Sequence, residues 1–455
     1  MRWSPESLAE HAGGVLVQRG SRDAAGAFID SRAPLVGGLF VPIVAARDGH
    51  DFIDGAVEGG AAAVLVGRGK SLPKGDVTVV EVDDTLEALT RLASASRDRV
   101  LGPVVSITGS NGKTTTRSMI EAVLRTALPN VLCTQGNLNN HLGVPLTLLG
   151  EPHEPGAMVV ELGMNAPGEN DHLARIVRPT VAVITSVALE HLEFMGSIEA
   201  IAAAEREPVA HVQSGGVVVA PADEPLLTAH LPKSGVLSFG PGSDATVVIE
   251  AVRQRARTET TLRLPDGQRV TLQLQMFGLH NARNAAAALC VGLHLKLPVA
   301  PMLEALEKVT PVGDRGRALT MGEHLVIADC YNANPGSVQA ALRSLAALRD
   351  DRSGPLVAVL GDMLELGPTE ASLHADSGRL CAELGLDCLV TLGPRCTATA
   401  EAARSGGIEA VDAGDDVDAA AQAVRSALGS RPGAVLIKAS RGMRLERVVS
   451  ALVDS

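Results

Sequence analysis

The chain has 455 residues, of which 46% are hydrophobic and 20% charged. That length exceeds what one hydrophobic core serves, so two or three domains are expected, in a folded and soluble protein. A net charge of −12 argues against nonspecific nucleic-acid binding, yet leaves room for a small anionic ligand in a local positive field.

The opening residues Met1–Glu6 lack a basic segment followed by an apolar one, so no leader is expected. The longest aliphatic runs, such as Ala61–Val66, are too short to span a bilayer. Six cysteines are scattered without a CxxC pair. They read as reduced core thiols in a cytoplasmic protein.

Residues 1–102 alternate short strands and helices. Strands are expected at Gly38–Pro42, Ala62–Val66 and Thr78–Val82, and a polar loop leads into a helix around Ala45–Phe52. Asp84 is placed to cap a helix carrying Leu86, Leu89 and Leu92.

Residues 103–312 open on Val104–Ile107, a β-branched run. It passes into Thr108-Gly109-Ser110-Asn111-Gly112-Lys113-Thr114-Thr115 and then a helical pattern. Strand, glycine turn and helix is the context in which a P-loop is credible. The glycines let backbone N–H groups converge on a phosphate, and the helix adds its positive end. Lys113 would neutralise the β/γ-phosphates of ATP or GTP, and the Thr114 hydroxyl would bind Mg²⁺. The loop is Gly-x-x-Gly-Lys-Thr, with Ile107 where the general motif has its first glycine.

Further buried strands are expected at Met158–Glu161, Val181–Thr185 and Gly216–Val219, making a mostly parallel sheet. Alternation at 247–249, 261–264 and 270–274, with a turn at Pro265-Asp266-Gly267, predicts an antiparallel edge. An alanine-rich helix follows from Asn284. Residues 313–455 return to buried strands at 325–329, 356–360, 388–392 and 435–438, and read as a Rossmann-like domain. The expected class is α/β in three domains, the central one built on a P-loop-type sheet.

Ligands in parallel α/β sheets sit at the carboxyl ends of strands. Glu161 ends one strand, and its carboxylate suits a hard divalent cation. His191 follows the next strand end and reads either as a metal ligand or as a structural hydrogen-bonder. The loop Gly136–Pro145 carries Asn137, Asn139, Asn140 and His141. It is either an asparagine-rich turn or a polar substrate site. Asn284, in His280-Asn281-Ala282-Arg283-Asn284, is either a helix cap or a base contact. Asp329–Ser337 holds the single tyrosine, Tyr331, with Asn332 and Asn334, where a strand gives way to a helix. Capping accounts for Ser337 but not for that cluster.

Taken together these motifs resemble the Mur ligase family, of the type that adds D-alanyl-D-alanine. The shortened P-loop, Glu161 in Val-Glu-Leu-Gly-Met-Asn, His191 in Glu-His-Leu-Glu and His280–Asn284 carry the likeness. So do Gly316-Arg317, Tyr331–Pro335 and Gly136–Asn140. The resemblance implies an ATP- and Mg²⁺-dependent amide ligase. It would join UDP-N-acetylmuramoyl-tripeptide to D-Ala-D-Ala through an acyl phosphate, as a cytoplasmic monomer in cell-wall synthesis. Three domains would take the nucleotide-sugar peptide, ATP and D-Ala-D-Ala. Thr114, Glu161 and His191 would hold the metal, and Lys113 and His191 would act in catalysis. Thr108–Thr115, Asn281, Asn284, Arg317, Asp329 and Asn334 would meet ATP. Ser31, Arg32, Asp48 and His50, with Asn137, Asn139 and Asn140, would meet substrate.

The chain departs from the family where a carbamylated lysine usually supports a second magnesium: that position is Glu205. A glutamate carries the carboxylate on a shorter arm, so Glu205 is expected to do the same electrostatic work. Ala328 and Ala439 replace a family Asp and Gly. Glu205 also keeps open a noncatalytic nucleotide-binding homologue. Another Mur or folylpolyglutamate-type ligase is the alternative within the superfamily, and a P-loop switch or motor the alternative outside it.

Overall fold

The computed structural model describes residues 2–454. Three large sheets follow one another along the chain. The first has five strands in the order Val15–Gln18, Thr78–Val82, Ala63–Gly67, Leu39–Phe40 and Ala27–Phe28, parallel except for its first edge. The expected strand at 38–42 shortens to two residues. The polar loop resolves into a 3₁₀ turn, Gly49–Phe52, and a helix, Ile53–Glu58.

The central sheet has nine strands. From the antiparallel edge inward these are Arg269–Leu274, Thr258–Arg263, Val247–Gln254, Val236–Gly240, Val217–Pro221, Val181–Ile184, Val104–Thr108, Ala157–Glu161 and Val131–Cys133. The P-loop strand Val104–Thr108 lies between the strands that end at Ile184 and Glu161, paired in parallel with both. Those two strand ends therefore open beside the P-loop, where a ligand belongs in such a sheet. The third sheet orders Arg317–Met321, His324–Ala328, Ala434–Lys438, Leu356–Gly361, Cys388–Leu392 and Glu409–Asp412.

The units join in two different ways. The first and central units share one apolar core, which runs from Trp3, Leu8, Leu65 and Leu89 to Val104, Met158, Val160 and Leu173. The helix Thr85–Asp98 seals this joint. Asp84 caps it as expected, accepting from Leu86 N and Glu87 N. Its buried Arg97 donates to the carbonyls of Val177, Val100 and Arg178. The joint to the third unit includes polar contacts across long loops. The Asn111 and Asn334 amides pair reciprocally at 3.3 and 3.0 Å, and His191 meets Glu365 at 2.6 Å. Phe277 of the central unit also enters the third unit's apolar core, so this joint is part polar and part apolar.

All six cysteines are free and buried. No helix among the described residues is long and apolar enough to cross a membrane. Buried Asp362, His374 and Cys396 come close enough to share a metal. Both His374 nitrogens are already occupied: one takes the Met363 N–H and the other lies 2.9 Å from the Glu370 carbonyl.

Candidate active site

The P-loop is shaped by two glycines and strapped down by a neighbouring loop. Gly109 has φ +120°, and a side chain there would also collide with Thr185. Gly112 has φ +86°, and a Cβ would come within 2.6 Å of Asn284 Oδ1. Both positions therefore need glycine for conformation and for space. Ser110 N donates to Ser186 O, Asn111 N to Ser186 Oγ, and Thr185 Oγ1 to Asn111 O. The helix Lys113–Arg125 begins at once and aims its N-terminus into the cleft.

Lys113 Nζ donates to Gly109 O at 2.5 Å. Burial opposes its charge, but Glu190, Glu205 and Glu161 outweigh that and hold the ammonium above its ordinary range. Beneath the loop the Glu190 and Glu205 carboxyls pair with each other, both 7% exposed or less. Burial pushes Glu190 up to about 8 and raises Glu205 as well, against the pull of the Lys113 ammonium on both.

Glu205 does not line the cleft. Its Oε2 accepts the Gly109 N–H at 2.7 Å, and Asn170 approaches at 3.4 Å. Glu205 is expected to stand in for the metal-supporting lysine, and in the structure its carboxylate braces the loop from below. Glu205→Ala would leave a buried N–H without a partner, at a cost of about 1–3 kcal/mol. Its expected result is weaker ATP binding with an unaltered Mg²⁺ requirement, read by calorimetry with ATP across a magnesium series. A raised magnesium requirement at unchanged ATP affinity would restore the first reading.

Glu161 is 3% exposed at its strand end. Thr114 Oγ1 lies 3.1 Å from its Oε2, Asn139 Nδ2 donates to Oε1 at 3.0 Å, and its own N–H donates to Thr134 Oγ1. His191 lines the same cleft as Thr114 and Glu161. The hydroxyl and carboxylate oxygens are hard donors that match magnesium.

The cleft measures about 590 Å³ and is closed on its far side by the third unit. Of the expected residues, Ser110–Thr115, Asn137, Asn139, Asn140, Glu161, His191, Asn284 and Asp329 line it. Thr108 and Gly109 lie behind the loop, where Thr108 Oγ1 donates to Glu205 O. The capping alternative for Asn284 is corrected: its helix is Asn281–His294, so Asn284 stands one turn inside, against Gly112. Asn281 supports it, accepting from Asn284 Nδ2 while donating to Phe277 O.

Asp329 is held by Lys438, whose Nζ lies 2.9 Å from Asp329 Oδ2 and 2.9 Å from Asn332 O. Asn334 works as a helix cap in a reciprocal box with Ser337, and faces Asn111. Arg317 does not line the cleft: it is paired with Asp314 at the start of a strand. Arg315, two residues earlier, does line it, 3.5 Å over the Tyr331 ring, as does Arg283 of the central unit. Arg315, Arg283, Glu190 and Lys438 were missed in the sequence. The pattern Arg315-Gly316-Arg317 signals an arginine at this turn but not which one faces inward.

The four residues expected from the first unit lie elsewhere. Ser31 and the exposed Arg32 sit in a turn where Arg32 pairs with Asp30 at 2.8 Å. His50 is a pin within the fold, its Nδ1 at 2.6 Å from Asp48 and its Nε2 accepting from Gly67 N. Lys70 and His50 together hold the Asp48 carboxyl well below the usual range. With both ring nitrogens engaged, His50 shapes this loop.

Residues 107–292 match the Mur ligase middle domain, and residues 316–441 the domain described as Mur ligase, glutamate ligase domain. The UDP-N-acetylmuramoyl-tripeptide–D-alanyl-D-alanine ligase of Bacillus subtilis is 36% identical over 92% of this chain and 90% of its own length. That of Escherichia coli K12 is 33% identical over 94% and 93%. Among solved structures, MurF from Acinetobacter baumannii superposes with a TM-score of 0.88 at 29% identity, covering 100% of this chain and 99% of that one. MurF ligase from Thermotoga maritima in complex with ADP gives 0.83 at 28%, covering 95% and 97%. A P-loop between two parallel strand ends, closed by a third α/β unit, and relatives alike over nearly their whole length, lead to one conclusion: the chain belongs to the Mur ligase family, among its D-alanyl-D-alanine-adding ligases.

Proposed function

We infer that the chain joins UDP-N-acetylmuramoyl-tripeptide to D-Ala-D-Ala at the expense of ATP, giving the pentapeptide precursor of peptidoglycan. One observation carries the reading: the P-loop, the Thr114–Glu161–His191 group and the third unit's Asp329 and Arg315 face a single cleft. We place the three domains at 1–102, 103–312 and 313–455, serving the nucleotide-sugar peptide, ATP and D-Ala-D-Ala, in a cytoplasmic monomer.

An oxygen of the tripeptide carboxylate attacks the γ-phosphorus and ADP leaves. The D-Ala-D-Ala amine then attacks the acyl carbon, and phosphate leaves. Thr114, Glu161 and His191 would hold Mg²⁺, which when bound screens the repulsion between two anions. Lys113 presents its charge to the phosphates, kept ionised by the carboxyl pair below it. Asn284 closes the loop at Gly112, and Asn139 orients Glu161. The Asn111–Asn334 contact holds the third unit over the cleft, which excludes water from the acyl phosphate.

The test is phosphate release from ATP and Mg²⁺, with and without each substrate. Release that requires both, with the pentapeptide product appearing, is expected. Binding of ATP without turnover would instead favour the noncatalytic homologue.

A further inference from the structure

His191 is held by a loop of the third unit. Its Nδ1 lies 2.6 Å from Glu365 Oε2, although the two residues are 174 positions apart. Glu365 stands in the loop after the strand Leu356–Gly361 of the third sheet. Neither residue is glycine, yet both have left-handed backbones, φ +48° at His191 and +63° at Glu365. Such conformations persist where the surroundings enforce them, and they gather at functional sites. The backbones meet as well: Glu193 N donates to Glu365 O at 3.4 Å, and Gly367, at φ +60°, brings its loop against Glu193. A chance surface ion pair would have neither the enforced backbones nor the second contact.

Against a carboxylate acceptor Nδ1 is the donor, and in the neutral imidazole this leaves Nε2 to offer its lone pair. That is the arrangement in which a carboxylate orients a metal-binding histidine and raises its basicity. We propose that Glu365 is a positioning residue for His191. It presents Nε2 to the metal, so the metal site is complete only while the third unit is docked on the central one. The proposal rests on the reading of His191 as a metal ligand. It adds that a loop of the third unit helps to assemble the metal site, which ties phosphoryl transfer to domain closure.

Mn²⁺ binding to the full chain with a nonhydrolysable ATP analogue tests it, read by paramagnetic resonance of the free ion. Electron spin-echo modulation reports nitrogen ligation in the same samples. Glu365→Ala is expected to weaken Mn²⁺ binding by about 10–100-fold and to lose the nitrogen signal. Glu365→Gln, whose amide oxygen accepts the same N–H, should recover most of both. His191→Ala serves as the reference loss. An undiminished affinity in Glu365→Ala, with a loss in His191→Ala, would overturn the proposal alone. So would a Glu365→Gln protein no better than the alanine variant. No loss in His191→Ala would remove the metal-ligand reading itself, and the proposal with it.

Discussion

Lys113→Met is expected to cut substrate-dependent phosphate release by about 10³-fold, the scale on which a single preorganised charge at a transferring phosphoryl acts. No other lysine or arginine among the described residues is so placed, at the first residue of the P-loop helix and hydrogen-bonded to the loop. The substitution has a second consequence. Lys113 is the counter-charge for the Glu190–Glu205 pair: its ammonium lowers both buried carboxyls, and without it burial pushes them higher still. A carboxyl whose folded pKa lies above its unfolded value favours the fold at low pH and stops doing so as pH rises. For Glu190 the span runs from the ordinary 4.5 to about 8. Lys113→Met should therefore lose thermal stability as pH rises through this span, more steeply than the parent. Adding Glu190→Gln should remove much of the difference. Melting curves across the span check the stability claim, and phosphate release checks the rate. A variant as fast as the parent would remove Lys113 from the chemistry.

Glu161→Gln should lower turnover by about 10²–10³-fold and raise the magnesium concentration needed for half-maximal rate. The amide keeps the size of the side chain, and the backbone contact to Thr134 is untouched. It removes the charge and half of the oxygen donor set facing Thr114 and Asn139. The fold should hold, since the strand around Glu161 is paired on both sides. The rate as a function of magnesium, beside a thermal melt, separates the two effects. Full activity at ordinary magnesium would show that Glu161 is not a ligand.

Glu205 illustrates how far motif alignment reaches. Its position after His191 is legible from the chain, and so is its carboxylate. What that carboxylate touches is not, because Gly109 lies 96 residues away. Arg315 and Arg317 show the same limit at shorter range. Two arginines flank Gly316, and strand pairing with His324–Ala328 turns one outward to Asp314. His50 is a third case: a histidine in a plausible loop proves to be a pin between Asp48 and Gly67.

Consecutive residues determine the α/β class, the P-loop, the strand-end Glu161 and the antiparallel edge near Pro265–Gly267. Each depends on local spacing: period-two or continuous burial, glycine at a forced turn, lysine and threonine at a helix start. The packing of distant segments decides the rest. It sets which face of each loop looks into the cleft, the pairing of Glu190 with Glu205, the Asn111–Asn334 contact and the grip of Glu365 on His191. These arise where three sheets meet, and the distances between their loops are set by cores and registers that no single stretch of the chain contains.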